Sequence, residues 1–302
     1  MSQPPLTKTD VDGFHKSLSN WGRWGERDQL GTLNLITAET RRAAATLVRS
    51  GRAVSCARSL PTEPAPDNPQ PVVHLMLGTA TEGWGGDYIA LAPHGFATSH
   101  IDALCHIFHE GRLYNGYSID RVTAHGALEL GIHALRDGIV ARGVLLDIPR
   151  VRGVHFLEPG DPIFPVDLEA AEALGSTRVE PGDVALVRTG RWLARSARGP
   201  RPAAEGLAGL DASCLPWLHE RGVAALGCDG VSDVIPSRVP GVEMPIHTVA
   251  IVAIGLHLID NLDLDALAAA CVDEDRVDFQ LTIAPLILDR GTASPVNPIA
   301  LF

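Results

Sequence analysis

No window of this 302-residue chain approaches 18 uninterrupted apolar residues, so the sequence contains no conventional membrane-spanning helix. It has no C-x-x-C pair. The five cysteines, Cys56, Cys105, Cys214, Cys228 and Cys271, are an odd number with no sign of a secretory context, so reduced, inert thiols are expected rather than a disulfide framework. The opening MSQPPLTKTD carries neither an apolar leader core nor an Arg-rich amphipathic stretch, and a cytoplasmic location is the expectation. Basic charge is scarce, with 25 Lys+Arg against 36 Asp+Glu and a formal charge of -11. A field of that sign repels phosphate backbones and anionic lipid, so neither nucleic acid nor a membrane is expected as a partner. The densest basic segment, Arg188 to Arg201, is interrupted by Gly190, Trp192 and Pro200 and reads as a solvated loop rather than an anion-binding face.

What is present is ordinary for a folded chain: 45% apolar and 20% charged residues. Ala38 to Ser50 reads as a helix with Thr37 as N-cap and Gly51 at its end. Gly138 to Ile148, Val184 to Val187 and Val223 to Leu226 read as strands. Val166 to Leu174, Leu210 to Arg221 and Asp263 to Ala270 read as helices between and after them. This alternation predicts an α/β or α+β architecture. No linker divides the chain, so residues 1–302 are expected to form one domain, with 1–37 as an N-terminal arm and the Pro-rich 61–71 as a surface loop.

The histidines carry the chemical signal. Twelve are present, and His94, His100, His106, His109 and His125 fall close together. His100, Asp102 and His106 form an H-x-D-x-x-x-H cluster, whose ligand types suit zinc, manganese or iron. On one unbroken strand they would spread over about 20 Å, so a turn must intervene before they can share an ion. Core or surface histidines would produce the same spacing without a metal. Cys105, beside the cluster, reads as a buried, unreactive thiol and His257 as a hydrogen-bonded core residue.

This stretch resembles the H-x-G-T-H-x-D-x-x-x-H signature of the cyclase and metal-dependent hydrolase superfamily, which includes bacterial kynurenine formamidase and isatin hydrolase. Residues 21–37, 108–117, 142–148, 180–190 and 291–302 resemble further blocks of its longer, roughly 300-residue branch. The resemblance implies a swivelling β/β/α-type α/β domain and a homodimer or homotetramer. It also implies one divalent metal per subunit, zinc or manganese, held by His100, Asp102, His106 and Asp260, with His247 beside them. The signature's first histidine falls on Phe96 here, and His94 lies two residues out of register. Phe96, His109, Tyr114 and Trp24 are the implied substrate-binding residues.

The expected reaction is hydrolysis of the C–N bond of a small amide, formamide or lactam. Metal-bound hydroxide would attack the carbonyl, with Asp102 as ligand and orienter and His106 or His247 relaying the proton. Two alternatives stay open: a cyclisation or dehydration of a small carbonyl metabolite on the same centre, and a non-catalytic small-molecule binder, favoured by Phe96 in a ligand position.

Overall fold

The structure is a computed structural model that describes residues 6–302; the first five residues of the expected arm lie outside them. Nine strands form one sheet: Ala53–Ser55 (β1), His100–Asp102 (β2), Ile139–Asp147 (β3), Val184–Arg188 (β4), Ala225–Cys228 (β5), His257–Asp260 (β6), Asp278–Ile283 (β7), Ala293–Pro295 (β8) and Ile299–Leu301 (β9). Their order is β1-β9-β7-β3-β4-β5-β6-β2-β8. The central run β3-β4-β5-β6 is parallel, and the strands outside it pair antiparallel. Every residue of β4, β5 and β6 is buried, as expected of parallel strands covered on both faces. Strand β7, DFQLTI, instead alternates buried and half-buried residues, the period-2 pattern of a strand with one face in the core. The expected α/β fold is therefore observed, with all three predicted strands in the parallel centre.

The helices are Lys8–Ser17 (α1), Ala38–Ala45 (α2), Pro165–Leu174 (α3), Arg191–Arg198 (α4) and Asp265–Asp273 (α5), beside several single-turn pieces. Three of the helices follow predicted segments with shifted ends, and α1 in the arm and α4 in the arginine-rich segment are additional. Thr37 does cap α2, accepting from the Thr40 N–H while Thr40 Oγ1 accepts from the Thr37 N–H. The helix stops at Ala45 rather than Ser50 because the Thr46 hydroxyl donates back to the Ala43 carbonyl at 2.7 Å, competing with the next helical turn. The predicted helix at 210–221 is reduced to Leu215–Glu220, since Leu210 is taken into a strand pair with Ile163 and Asp211 caps the Ser213 N–H.

One loop expectation is corrected and one is observed with a qualification. The arginine-rich segment is not a solvated loop: it comprises the end of β4 and helix α4, and acids from elsewhere in the chain neutralise it. Arg188 is buried between Asp147 and Asp265, Arg195 meets Asp67, and Arg198 meets Glu158. The Pro-rich 61–71 segment is a loop but a pinned one, with Asp67 and Asn68 buried within it. All five cysteines are buried and unpaired, and burial pushes the Cys105 thiol up to about 12. Among the described residues, no helix is long and apolar enough to cross a membrane.

The arm packs on its own chain. The Trp21 indole N–H donates to the Val252 carbonyl at 2.6 Å, and the Asn20 amide donates to Ile254. Gly31 makes this approach possible, because any Cβ there would meet the Gly255 carbonyl.

Candidate metal centre

The register of β2 against β6 builds the centre. Asp260 pairs with His100 and Ile259 with Ile101, so strand alternation places His100, Asp102 and Asp260 on one face. The chain leaves β2 in a turn closed by the His106 N–H donating to the Ala103 carbonyl at 3.0 Å, which returns His106 to Asp102. His94 arrives from the loop before β2. Its Nδ1 stands 3.0 Å from Asp102 Oδ1, and its ring stacks on His106 with centroids 3.7 Å apart. His247 closes the arrangement from a short helix whose Ile246 and His247 N–H groups both donate to Asp233.

Hydrogen bonding fixes which nitrogen each ring presents. Nδ1 of His100 is 2.8 Å from the Thr98 carbonyl, which only accepts, so Nδ1 carries the proton and Nε2 faces Asp102 Oδ1 at 3.4 Å. Nδ1 of His247 likewise donates to Asp233 Oδ2 at 2.6 Å, leaving Nε2 3.3 Å from Asp260 Oδ2 and 3.7 Å from Asp102 Oδ2. Both Asp102 oxygens and His94 Nδ1 are buried without a hydrogen bond. Lone pairs converging on a buried carboxylate repel unless a proton or a cation lies between them.

The electrostatics follow from that crowding. Burial works against ionising Asp102, but His100 and His94 outweigh it and hold the carboxyl well below the usual range. Burial also opposes charge on His247, and Asp233 and Asp260 overcome it to hold that imidazole well above its ordinary value. For His106 burial prevails, and its pKa falls to about 4.

The donor atoms fall into two sets sharing Asp102: His94, Asp102 and His106, and His100, Asp102 and Asp260. Ligand atoms on one tetrahedral ion, each about 2.1 Å from it, stand about 3.4 Å apart. The separations given above run from 3.0 to 3.7 Å. Imidazole nitrogens with two carboxylates are also the donor chemistry of a divalent transition ion. These residues fit such an ion.

Of the other sequence candidates, Phe96 lines both a cavity of about 130 Å³ that reaches His94 and an apolar groove of about 770 Å³ walled by Pro66, Pro69, Ile235, Val239 and Met244. His109 lies elsewhere, stacked on His15 at 3.6 Å in a cavity of about 650 Å³ that includes none of the cluster residues. Tyr114 is corrected as a pocket residue: it is fully buried, its ring fills the space above Gly255, and its hydroxyl donates to Asp28 of the arm at 2.9 Å. Trp24 stays on the arm under the Arg23 guanidinium and makes no hydrogen bond to the cluster. His257 is buried, with Nδ1 bound to the Asp102 carbonyl.

Three contributors lie outside the ligand set expected from the sequence. His94, two residues out of register, joins the centre only through the course of its loop. Asp233 lies 14 residues from His247 in no recognisable motif. The third is a clamp on the loop carrying His94: Arg191 donates to the Phe96 carbonyl and to Asn261 Oδ1, and the Asn261 amide donates to the Gly95 and Thr98 carbonyls.

A nine-stranded mixed sheet with a buried His/Asp cluster on its β2–β6 pair defines a mixed α/β domain with a candidate metal centre. Residues 34–233 match the model of the family described as "Putative cyclase", and the chain belongs to that family of enzymes. A crystal structure described as a novel cyclase is 31% identical, with a TM-score of 0.85 over 95% of this chain and 99% of that one. An isatin hydrolase bound to the product analogue thioisatinate shares the fold at 16% identity and a TM-score of 0.57, over 88% of this chain and 99% of that one. Isatin hydrolase A from Ralstonia solanacearum does so at 22% identity and a TM-score of 0.56, over 82% and 91%. No curated protein matches the sequence.

Proposed function

We propose that this protein is a metal-dependent hydrolase that cleaves the C–N bond of a small amide, formamide or lactam. The observation that carries the reading is the Asp102 carboxylate, buried without a hydrogen bond among imidazole nitrogens. His100, Asp102 and Asp260, or His94, Asp102 and His106, would hold the ion, zinc or manganese, each set leaving a position open. The chemistry supplied by a bound divalent ion is Lewis acidity, which polarises a carbonyl and lowers the pKa of water toward ~7.

The protein's own groups do the rest. Asp233 holds the His247 ring so that Nε2 faces Asp102 and Asp260. His94 and His106 are half-buried whereas His100, Asp102 and His247 are buried, so these two imidazoles have access to a substrate; a neutral His106 can take the proton of the attacking water and pass it to the departing nitrogen. Phe96, which walls the small cavity that reaches His94, would meet the substrate's hydrocarbon part. The case for a mere binder draws on Phe96 in a ligand position and on Asp260 where the resemblance implies a Glu; against the first, His94 beside Asp102 offers an imidazole in place of Phe96.

The test is metal content by mass spectrometry in protein purified without added metal or chelator, beside Asp102→Ala. Zinc or manganese near stoichiometry in the wild type, with loss in the variant of both metal and turnover on an amide panel, supports the proposal. Absence of metal in both after reconstitution, or full activity in the variant, overturns it. A second reading, cyclisation or dehydration on the same centre, draws on the description of the 31% identical relative as a cyclase. Labelled water separates the two, since hydrolysis places solvent oxygen in a carboxylate.

A further inference from the structure

The loop that leaves β5, residues 229–233, is tied down along its length. Strand β5 lies between β4 and β6 and parallel to both, so its C-terminal end opens beside theirs. The Asp229 carboxylate accepts from the Thr189 N–H and hydroxyl and from the Gly190 N–H, at 2.7–2.8 Å, where β4 passes into α4. The Gly230 carbonyl accepts from the Asn261 N–H at 2.7 Å, and the Ser232 carbonyl from the Leu210 N–H at 2.8 Å. Asp233 then holds the Ile246 and His247 N–H groups. Asp229, Ser232 and Asp233 are fully buried, so a shift of the loop would break bonds that water is not there to replace.

Ser232 is the member of this loop whose side chain meets Asp260. Its hydroxyl stands 3.1 Å and its N–H 3.3 Å from the same atom, Asp260 Oδ1, and because a carboxylate only accepts, Ser232 donates both. Oδ2 receives neither bond and stands 3.3 Å from His247 Nε2. Asp102 is the contrast, since neither of its oxygens has a hydrogen bond. Of the two buried carboxylates, one therefore offers both oxygens to a cation and the other offers one.

We infer, on the metal reading proposed above, that Ser232 is a positioning residue that makes Asp260 a one-oxygen ligand and thereby sets which ion the centre prefers. Two hydrogen bonds draw electron density from Oδ1 and fix the plane of the carboxylate, and the tied loop cannot follow if Asp260 turns. A four-coordinate ion such as zinc is satisfied by a single carboxylate oxygen. A six-coordinate ion such as manganese has room for both oxygens of one carboxylate. With Oδ1 occupied that second mode is closed, and the set of His100, Asp102 and Asp260 favours zinc.

The test titrates metal-stripped, full-length wild type and Ser232→Ala with zinc alone and with manganese alone, in competition with a chromogenic chelator. Comparing variant with wild type cancels the intrinsic order in which such donors prefer zinc to manganese. Zinc affinity should fall about 10–100-fold, the usual loss for a residue that orients a ligand, and manganese affinity by clearly less, with the far-ultraviolet circular dichroism spectrum unchanged. Unchanged zinc affinity, or an equal fall for both ions, overturns the inference and leaves the metal reading in place. A wild type that binds neither ion overturns both. If Ser232→Ala does not fold, Ser232→Cys, which keeps a side chain in place but donates only weakly, serves instead, and the same narrowing of the zinc preference decides.

Discussion

The Nδ1–H of His247 donates to Oδ2 of Asp233 over 2.6 Å, and this bond sets which nitrogen of His247 faces Asp102 and Asp260. Asp233→Asn keeps the shape but offers an amide in place of a carboxylate, which lets the ring turn or change tautomer. Losing such a partner of a ligating histidine typically costs 10–100-fold in metal affinity. Competition with a chromogenic chelator should show that loss, with the far-ultraviolet spectrum unchanged. Wild-type affinity would remove Asp233 from the centre.

Arg191 acts on the same centre through the backbone. It is half-buried, desolvation of its guanidinium lowers its pKa to about 10, and its donors are spent on Asn261 and the Phe96 carbonyl. Arg191→Ala frees the loop that carries His94, so metal affinity should fall by about tenfold, the lower end of the range for residues that orient ligands. Arg191→Lys should recover little of it, because an ammonium cannot reproduce the forked geometry that reaches both acceptors. Full rescue by lysine would argue that charge alone matters there.

Tyr114→Phe tests a structural role against a substrate-binding one. The variant removes a hydrogen bond from a buried hydroxyl to the Asp28 carboxylate, worth about 1.5–3 kcal/mol. Chemical denaturation should show a loss of that order, while KM on any substrate found stays unchanged. A KM change without a stability change would return Tyr114 to the pocket.

The stacked His15–His109 pair predicts acid sensitivity. Burial, then repulsion from His109, lowers His15 from 6.5 to about 4 in the folded chain. The unfolded chain therefore takes up the proton first, and the stability held above pH 6.5 is lost as pH falls toward 4. His15 is partly solvated, so the contribution after screening is about 1 kcal/mol. Denaturation midpoints should fall over that window in the wild type and fall less in His15→Gln. Parallel curves would place the acid sensitivity elsewhere.

The sequence by itself determined that β3, β4 and β5 are strands, because each lies in a short apolar run bounded by turn residues, a local signal, while their parallel pairing came from the tertiary structure. It also determined the pairing of His100 with Asp102, since residues two apart on a strand share a face, and the need for a turn before His106. Only the tertiary structure decided the rest. Arg188 is buried because Asp147 and Asp265 come from other elements to meet it, and no local pattern in an arginine-rich segment shows those partners. His94 stands beside Asp102 because the Arg191–Asn261 clamp sets the course of its loop, which register counting along the motif cannot capture. Asp233 and His247 meet because the backbone N–H groups of a short helix turn toward one carboxylate, and Asp260 joins them through a strand register set about 160 residues from β2 by the pairing rules of sheets.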